Sequence, residues 1–491
     1  MMSHNATIHE SRLFVDGAFV DASDGATFDT WNPATGEVLA AVAHAGETDV
    51  VRAVAAARRA QPAWEQMGIG DRTRVLRKTA ELIARDAEPL AQLESADAGK
   101  PISDCRAQIL ATAEWFDFFA DISAHLRSDV IPTIPNHLNY TLRQPIGVVG
   151  VITPWNYPMP LYGIKLPAAL AVGNAVVLKP AEQTPLTALA LARLIQEAGL
   201  PDGVLNVVTG FGETAGAALV DADVDMVSFT GSTDVGRQIA SKAGQRLIKV
   251  TLELGGKSPS IVFADSDLDM AADGALFTFC VHQGQLCSAG TRLLVEESIR
   301  DEFVGMLVGK AEALRVGDPS DDATQLGAVM SPEQMTRIER YVDLGLEQGA
   351  RALTGAERAS VAGLEEGLFY KPTIFEDVQT DMTIAQEEIF GPVLSVLPFT
   401  NEAEAITLAN DVLYGLAAGI WTRDLGKAHR FAQQVQAGIV YVNTMNLLTP
   451  WSPYSGWKQS GLGIEGGIEQ AASFTRLKTV WLNLGRDVPR L

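Results

Sequence analysis

Short apolar runs rich in β-branched residues alternate with helix-like segments between residues 143 and 236, and this alternation constrains the fold more than any other feature of the sequence. Four runs have the continuous apolar character of strands buried on both faces, namely RQPIGVVGVITPW, AVVLKP, LNVVTG and MVSFTG. Helix-like segments lie between them, namely GIKLPAALAVG, TALALARLIQEAG and ETAGAALVD, and another helix begins after GSTDVG. Strands and helices repeated in this order predict a doubly wound α/β domain with a parallel sheet.

A second series of strand-like segments follows in the later half of the chain. It begins near Pro259 with SIVFADSD and continues through segments around Leu293, Val393 and Val440. No internal repeat or long linker rich in proline and glycine separates the two series. We therefore expect two α/β domains that pack together with a cleft between them.

The charge balance limits the classes of partner. The 491 residues include 60 Asp or Glu and 38 Lys or Arg, so the formal net charge of -22 repels phosphate backbones and anionic bilayers. The first residues, MMSHNATIHESRLF, lack the features of a secretory signal, and no apolar run approaches the roughly 18 residues of a membrane span. We therefore expect a cytosolic protein that binds neither nucleic acid nor membranes. The histidines are scattered and no cysteine pair has ligand spacing, which argues against a metal site.

Cys287 is the candidate nucleophile. The chain has three cysteines, too few to staple this length with disulfides, so reduced thiols are expected. Cys287 lies in the polar, glycine-flanked segment VHQGQLCSAGTR, where small neighbours let an electrophile reach sulfur and backbone N–H groups favour a thiolate. Cys105 and Cys280 are better explained as small buried side chains. His282, close to Cys287 in sequence, is better explained as an ordinary histidine at a helix start or behind the site.

Two further polar residues occupy suggestive positions. Glu253, in TLELGGKSP, ends a strand-like segment and precedes two glycines that allow the backbone to approach a ligand closely. A half-buried carboxylate there can act as a general base near neutral pH, although composition alone favours a solvated glutamate at a strand end. Asn156, in PWNYP, lies in a rigid segment that suits an oxyanion donor, although the motif alone indicates only a turn.

Two loops suit a nucleotide. FTGSTDVG, residues 229–236, is a glycine-rich turn from strand to helix, and the N-terminus of that helix can receive a pyrophosphate. VLKPAEQTP, residues 177–185, ends a strand with Lys179 and Glu182, a cation and an acid placed to bind ribose hydroxyls. GFGETA, residues 210–215, also fits the dinucleotide fingerprint by letter, but a single match of this kind is often false.

Taken together, these segments resemble the aldehyde dehydrogenase superfamily. The motifs PWNYP, KPAEQTP, FTGSTDVG, LELGGKSP, GQLCSAGTR, EEIFGP and PYSGWKQSG occur in the family's order and cover essentially the whole chain. The resemblance implies that Cys287 attacks the aldehyde, that Glu253 activates the hydrolytic water, and that Asn156 and the Cys287 backbone N–H bind the oxyanion. It also implies NAD as the cofactor, held by Thr153, Trp155, Lys179, Glu182, Gly212, Gly231, Ser232, Leu254, Glu388 and Phe390.

The resemblance also implies an architecture and an assembly. It predicts a Rossmann-like NAD-binding domain at 1–123 and 146–255, a second α/β catalytic domain at 256–457, and a small oligomerisation region at 124–145 and 458–491. The tail TRLKTVWLNL has alternating apolar residues that suit a strand added to the sheet of a neighbouring subunit. A homodimer or homotetramer is therefore expected.

By the same resemblance, the substrate pocket has mostly apolar walls without Lys or Arg. The residues predicted to line the pocket mouth are Tyr157, Leu161, Ile164, Val281, Leu286, Leu447, Leu448 and Trp451. Such walls favour a medium-sized aliphatic or aromatic aldehyde over a semialdehyde with a second carboxylate. A betaine aldehyde or an aminoaldehyde is the alternative substrate. NAD should be preferred over NADP, because Glu182 would accept from the ribose 2'-hydroxyl and repel a 2'-phosphate.

Three other functions fit the sequence less well. A CoA-acylating semialdehyde dehydrogenase generally lacks the base that Glu253 supplies, and a cysteine hydrolase needs a histidine base but no nicotinamide loops. A protein that kept the fold without catalysis would not need every proposed catalytic residue. The chain departs from the family pattern in YSGWK at 454–458 and in GIE at 463–465, and we expect neither segment to touch the chemistry.

Overall fold

The structure, a computed structural model, describes residues 10–485. Most of the N-terminal motif considered above, residues 1–9, therefore lies outside the described part of the chain. The helices are α1 (Glu47–Gln66), α2 (Ile69–Arg85), α3 (Ala87–Ala98), α4 (Ile102–Ile122), α5 (Pro158–Ala171), α6 (Leu186–Glu197), α7 (Ala217–Asp221), α8 (Thr233–Arg246), α9 (Leu268–Cys280), α10 (Arg300–Glu312), α11 (Pro332–Glu347), α12 (Thr383–Gln386), α13 (Glu402–Asn410), α14 (Leu425–Gln434) and α15 (Gly467–Ser473).

The strands fall into three larger sheets and two small pairs. They are β1 (Leu13–Val15), β2 (Ala18–Val20), β3 (Thr27–Trp31), β4 (Val38–Ala43), β5 (Val130–Ile131), β6 (His137–Pro145), β7 (Val148–Ile152), β8 (Ala175–Lys179), β9 (Leu205–Val207), β10 (Met226–Thr230), β11 (Lys249–Glu253), β12 (Pro259–Val262), β13 (Arg292–Glu296), β14 (Arg351–Thr354), β15 (Thr373–Glu376), β16 (Val393–Phe399), β17 (Tyr414–Gly415), β18 (Ala417–Trp421), β19 (Ile439–Val442), β20 (Trp457–Lys458), β21 (Gly461–Leu462) and β22 (Thr475–Asn483).

The first α/β unit is built on an eight-stranded sheet in the order β2-β1-β9-β8-β7-β10-β11-β21. Its central strands, β9, β8, β7, β10 and β11, are parallel, which confirms the predicted doubly wound unit. The order reverses at β7, because β8 and β9 continue on one side while β10 and β11 lie on the other. Ligands of open α/β sheets bind beyond the carboxyl ends of the strands at such a reversal. The loops that follow β7 and β10 therefore mark a crevice for a ligand.

Both faces of this sheet are covered, which explains the continuous apolar runs. Alternate residues of β7 point to opposite faces of the sheet and pack into two different hydrophobic cores. Val149 and Val151 pack with the helices α2 to α6, and Val148 and Ile152 pack with α1, α7 and α8. Within residues 10–485, no helix is long and apolar enough to cross a membrane.

The second α/β unit has a seven-stranded sheet in the order β14-β15-β16-β13-β12-β18-β19. All its pairings are parallel except the edge pair β14 and β15, so the predicted second α/β unit is also confirmed. Residues 254–258 connect β11 of the first sheet to β12 of the second. Glu253, the last residue of β11, therefore lies where the two units meet.

The third sheet has the order β22-β6-β5. Strand β22 pairs antiparallel with β6 along its whole length, which confirms that the C-terminal tail forms a strand. Its addition to a neighbouring subunit stays a prediction. Strand β21 pairs with β11 of the first sheet, and α15 packs on both α5 and β22. The start of the oligomerisation region at residue 458 stays a prediction.

Candidate active site

A cavity of about 590 Å³ lies between the two α/β units. Its walls come from the loops that follow β7, β10 and β11, from α4 and α5, and from the segment that holds Cys287. The three residues predicted to be catalytic, Cys287, Glu253 and Asn156, all line it. Within the described residues, no group of histidine, cysteine and carboxylate side chains is arranged to hold a metal ion.

Cys287 follows α9 and a strained turn. His282 and Gln283 have φ angles of 49° and 56°, in the left-handed region that side chains other than glycine rarely adopt. Such strain is concentrated at functional sites. Cys287 is half-buried, whereas Cys105 and Cys280 are buried, as predicted. Burial raises the pKa of the Cys287 thiol to about 12; the Tyr454 hydroxyl opposes this rise, and Glu388 and Glu253 add to it.

Asn156 is held directly against the cysteine loop. Its Nδ2 donates a hydrogen bond of 2.9 Å to the Gln285 carbonyl, and the side chain is buried. The flanking aromatic residues are also fixed, since the Trp155 ring packs edge-on against Phe390 and the Tyr157 ring packs edge-on against His282. A primary amide has two N–H donors, so Asn156 keeps one that can serve an oxyanion.

Glu253 is buried at the end of β11, and neither carboxylate oxygen has a hydrogen-bond partner within residues 10–485. Burial raises its pKa well above the ordinary value; the Glu465 carboxylate adds to the rise, and Lys165 opposes it. Lys165 itself pairs with Glu465 and donates to Ser228 Oγ at 3.2 Å. A carboxylate with a raised pKa accepts a proton more readily than an ordinary glutamate, which suits a general base.

The two glycines after Glu253 allow close backbone contacts. The Gly256 N–H donates to Glu388 Oε1 at 3.0 Å. A Cβ atom at Gly255 would lie 2.5 Å from Glu388 Oε2, and one at Gly256 would lie 2.3 Å from the Cys287 carbonyl oxygen. Burial raises the pKa of Glu388 to about 7, against the effects of the Gly256 N–H, Arg337 and Lys257. The glycine pair therefore sets the spacing between the Glu388 carboxylate and the Cys287 loop.

The predicted cofactor residues divide into two groups. One group lines the cavity and consists of Trp155, Gly231, Ser232, Leu254, Glu388 and Phe390. The other lies outside its walls and consists of Thr153, Lys179, Glu182 and Gly212. In that second group, Lys179 ends β8 and its Nζ lies 2.8 Å from a carboxylate oxygen of Glu182. Because β8 is parallel to β7, this ion pair is at the same sheet edge as the crevice.

Six of the residues predicted for the substrate pocket lie in the wall of this cavity. Tyr157, Leu161, Ile164, Val281, Leu286 and Leu448 line the cavity. Leu447 and Trp451 are not among the residues that line the cavity, and their side chains are 63% and 64% exposed, so their place at the pocket mouth stays a prediction. The Tyr441 hydroxyl donates to the Leu447 carbonyl at 2.9 Å, so the backbone of Leu447 faces inward while its side chain points out.

Three cavity residues escaped the sequence analysis. Asp104 of α4 lines the cavity, although in sequence it resembles a solvated carboxylate in the first turn of a helix. Tyr454 and Glu465 also line it, so the expectation that their segments lie away from the chemistry is wrong. An antiparallel bridge joins these two residues, with backbone hydrogen bonds of 2.6 and 2.7 Å. In the sequence, each lies in a segment that departs from the family pattern at another residue, Ser455 in one and Ile464 in the other.

Comparisons with known proteins identify the family of this chain. Residues 19–480 match the aldehyde dehydrogenase family. The chain is 45% identical to a putative aldehyde dehydrogenase, DhaS, of Bacillus subtilis (strain 168), over 96% of both chains. It is 42% identical to betaine aldehyde dehydrogenase of the same strain, over 96% of this chain and 97% of the relative. An NAD+ complex of aldehyde dehydrogenase from Bacillus cereus is 44% identical over 97% of both chains, with a TM-score of 0.95. The chain belongs to the aldehyde dehydrogenase family.

Proposed function

We propose that this chain oxidises an aldehyde to a carboxylic acid, with NAD as hydride acceptor and Cys287 as the covalent nucleophile. One observation carries the proposal. Three groups line the same cavity: the half-buried thiol of Cys287, the amide of Asn156 and the buried carboxylate of Glu253. Within residues 10–485, the Glu253 carboxylate has no hydrogen-bond partner. A nucleophile, an oxyanion donor and a base are the groups that covalent oxidation through a thioester requires.

The residues present fit NAD. Trp155, Gly231 and Ser232 follow β7 and β10, at the point where the strand order reverses. Glu388 and Phe390 line the same cavity as Cys287, so this wall would hold the nicotinamide end. When bound there, NAD would accept the hydride that leaves the substrate carbon. The NAD+ complex of the Bacillus cereus relative supports this choice of cofactor.

Cys287 carries the first half of the reaction. The thiol first loses its proton to water in the cavity. The thiolate sulfur then bonds to the carbonyl carbon, and the electron pair of the C=O bond moves to oxygen, which gives a thiohemiacetal oxyanion. The Asn156 amide and the Cys287 backbone N–H are the donors that would stabilise this charge. Loss of hydride from the same carbon then restores the C=O bond and leaves a thioester on sulfur.

Glu253 carries the second half. Its raised pKa suits removal of a proton from water, whose oxygen then attacks the thioester carbon and releases the acid as the C–S bond breaks. The presence of this base favours hydrolysis over transfer to CoA. A cysteine hydrolase is disfavoured because burial holds the pKa of His282 well below its ordinary value, and that ring packs on Tyr157.

The substrate end of the cavity supports an apolar aldehyde. Leu161, Ile164, Val281, Leu286 and Leu448 supply aliphatic surface there. Among the described lining residues the single cation is Arg337, which donates to the backbone carbonyls of Glu388 and Ile389 on the opposite side. Medium-sized aliphatic or aromatic aldehydes therefore fit best, and a semialdehyde with a second carboxylate fits poorly.

Asp104 favours a second candidate, a cationic aldehyde. Its carboxylate lines the cavity and makes no ion pair or hydrogen bond within residues 10–485. The Trp115 and Tyr157 rings line the same end, and aromatic faces together with a carboxylate suit an amine or trimethylammonium group. The 42% identity to a betaine aldehyde dehydrogenase supports this alternative.

Absorbance of reduced nicotinamide tests both candidates. The protein is mixed with NAD and either hexanal, benzaldehyde, betaine aldehyde or succinic semialdehyde, and kcat/KM is compared. Hexanal and benzaldehyde should lead, and succinic semialdehyde should be poorest. A lead for betaine aldehyde that collapses in Asp104→Asn would establish the cationic candidate instead. No reduction of NAD with any aldehyde would refute the proposed oxidation.

A homodimer or homotetramer is part of the proposal. The sheet β22-β6-β5 exposes apolar side chains that a partner subunit could cover, among them Val130, Leu142, Leu477 and Trp481. Light scattering measures the mass in solution. Trp481→Glu should shift the population toward monomer, and a monomeric wild-type protein would refute the assembly.

A further inference from the structure

Tyr454 makes a direct contact with the reacting sulfur. Its hydroxyl oxygen lies 3.6 Å from Cys287 Sγ, within reach of a hydrogen bond to sulfur. Within residues 10–485, it is the one side chain that makes such a bond to this thiol. The same residue lines the cavity, so its hydroxyl faces the place where the substrate would bind.

Apart from the Ser288 backbone N–H, which also favours the thiolate, the other groups around the sulfur oppose it. Burial disfavours the charged form, and the nearby Glu388 and Glu253 carboxyls repel negative charge. His282 is no source of positive charge, because burial and Lys100 hold its pKa well below the ordinary value. A neutral hydrogen-bond donor is therefore the principal stabilising side chain left to the thiolate.

We propose that Tyr454 is a catalytic residue whose hydroxyl donates a hydrogen bond to the Cys287 sulfur and stabilises the attacking thiolate. This rests on the proposed function, in which Cys287 is the nucleophile. The sulfur's own proton passes to water in the cavity, while Tyr454 keeps its proton. When the S–C bond forms, the negative charge moves to the substrate oxygen, and the bond from Tyr454 weakens because a thioether sulfur accepts poorly.

Two features suit Tyr454 to the role of donor. Burial and the neighbouring acidic groups hold its pKa well above the ordinary value, so the hydroxyl is protonated near neutral pH. Its backbone is anchored by the two hydrogen bonds to Glu465, and the Gly467 N–H to Pro450 carbonyl bond of 2.8 Å closes the same loop. Glu465, which pairs with Lys165, is therefore joined through backbone hydrogen bonds to Tyr454, which contacts Cys287.

Tyr441 provides a matched control. It lines the same cavity, but its hydroxyl donates to the Leu447 carbonyl at 2.9 Å. Removal of either hydroxyl deletes one oxygen atom and keeps the aromatic ring. Only the change at Tyr454 should alter the titration of the sulfur.

The test is the rate of alkylation of Cys287 by iodoacetamide as a function of pH, in the full-length protein without NAD or aldehyde. Peptide mass spectrometry follows Cys287 separately from the other two thiols. A hydrogen bond to a charged group of this kind lowers the pKa of a thiol by about one to two units, so at each pH below the midpoint Tyr454→Phe should hold about ten- to a hundredfold less thiolate than the wild type. Because a more basic thiolate is also a better nucleophile, the rate near neutral pH should fall only about three- to tenfold. Tyr441→Phe should match the wild type.

Two results would overturn the proposal. One is a Tyr454→Phe profile that coincides with the wild type, and the other is an equal shift in Tyr441→Phe. Circular dichroism and thermal unfolding establish that both variants are folded. Since alkylation needs neither cofactor nor substrate, a shifted profile in a protein that never reduces NAD would support the hydrogen bond and refute only the proposed oxidation.

Discussion

Gly256→Ala is the substitution whose effect follows most directly from the backbone geometry. The new Cβ would lie 2.3 Å from the Cys287 carbonyl oxygen and 3.2 Å from Leu416 Cβ. An ordinary contact of this kind is about 3.4 Å, so the Cys287 backbone must move by roughly 1 Å. A displacement of that size at a reacting group costs about a hundredfold in rate, and the overpacking costs about 1 to 3 kcal/mol of stability.

The assay combines kcat/KM for the best aldehyde with the temperature of thermal unfolding. Gly309→Ala in α10 is the control, because its Cβ would meet nothing within 4 Å and the position is exposed in a helix. That variant should keep its activity and gain up to about 1 kcal/mol in stability. Wild-type kcat/KM in Gly256→Ala would refute the reasoning that this glycine sets the position of the nucleophile.

Three further outcomes follow from the site. Asn156→Ala should lower kcat/KM by about 100- to 1000-fold, because it removes an oxyanion donor, and activity within tenfold of wild type would contradict that role. Glu182→Ser should lower the ratio of kcat/KM for NAD to kcat/KM for NADP. An unchanged ratio would refute the role of Glu182 in the choice of cofactor. Since burial raises the pKa of Glu253 in the folded state, its contribution to stability is lost as pH rises from its ordinary pKa through the raised value. Glu253→Gln should therefore raise the unfolding temperature more at pH 8 than at pH 5, and an equal change at both would argue against the raised pKa.

The parallel sheets could be predicted because their signal is local. Each of β7, β8, β9 and β10 is buried at every residue, and such a strand needs an unbroken apolar run that is visible in the sequence. The close backbone contacts at Gly255 and Gly256 could also be predicted, because only a residue without a side chain permits contacts this close. Their partners, the Glu388 carboxylate and the Cys287 carbonyl, come from distant parts of the chain.

The missing parts of the site depend on contacts between such distant segments. Asp104 faces the cavity because of how α4 packs on α5, which its own sequence does not reveal. Tyr454 is placed beside Cys287 by its backbone bridge to Glu465. In the loop nearby, Leu448 lines the cavity while the side chain of Leu447 is exposed. Side-chain direction in irregular segments is set by hydrogen bonds such as that from Tyr441, and no periodicity records it.

Division of the reaction between Cys287 and Glu253 is the central claim, and the transient kinetics of Glu253→Gln test it most directly. Glutamine keeps the size of the side chain but cannot take a proton from water, so the thioester should form and persist. We expect a burst of NADH close to one equivalent per site without further turnover, and an intact mass increased by one acyl group. Cys287→Ala should show neither the burst nor the added mass. Steady-state turnover of Glu253→Gln at the wild-type rate would contradict the account.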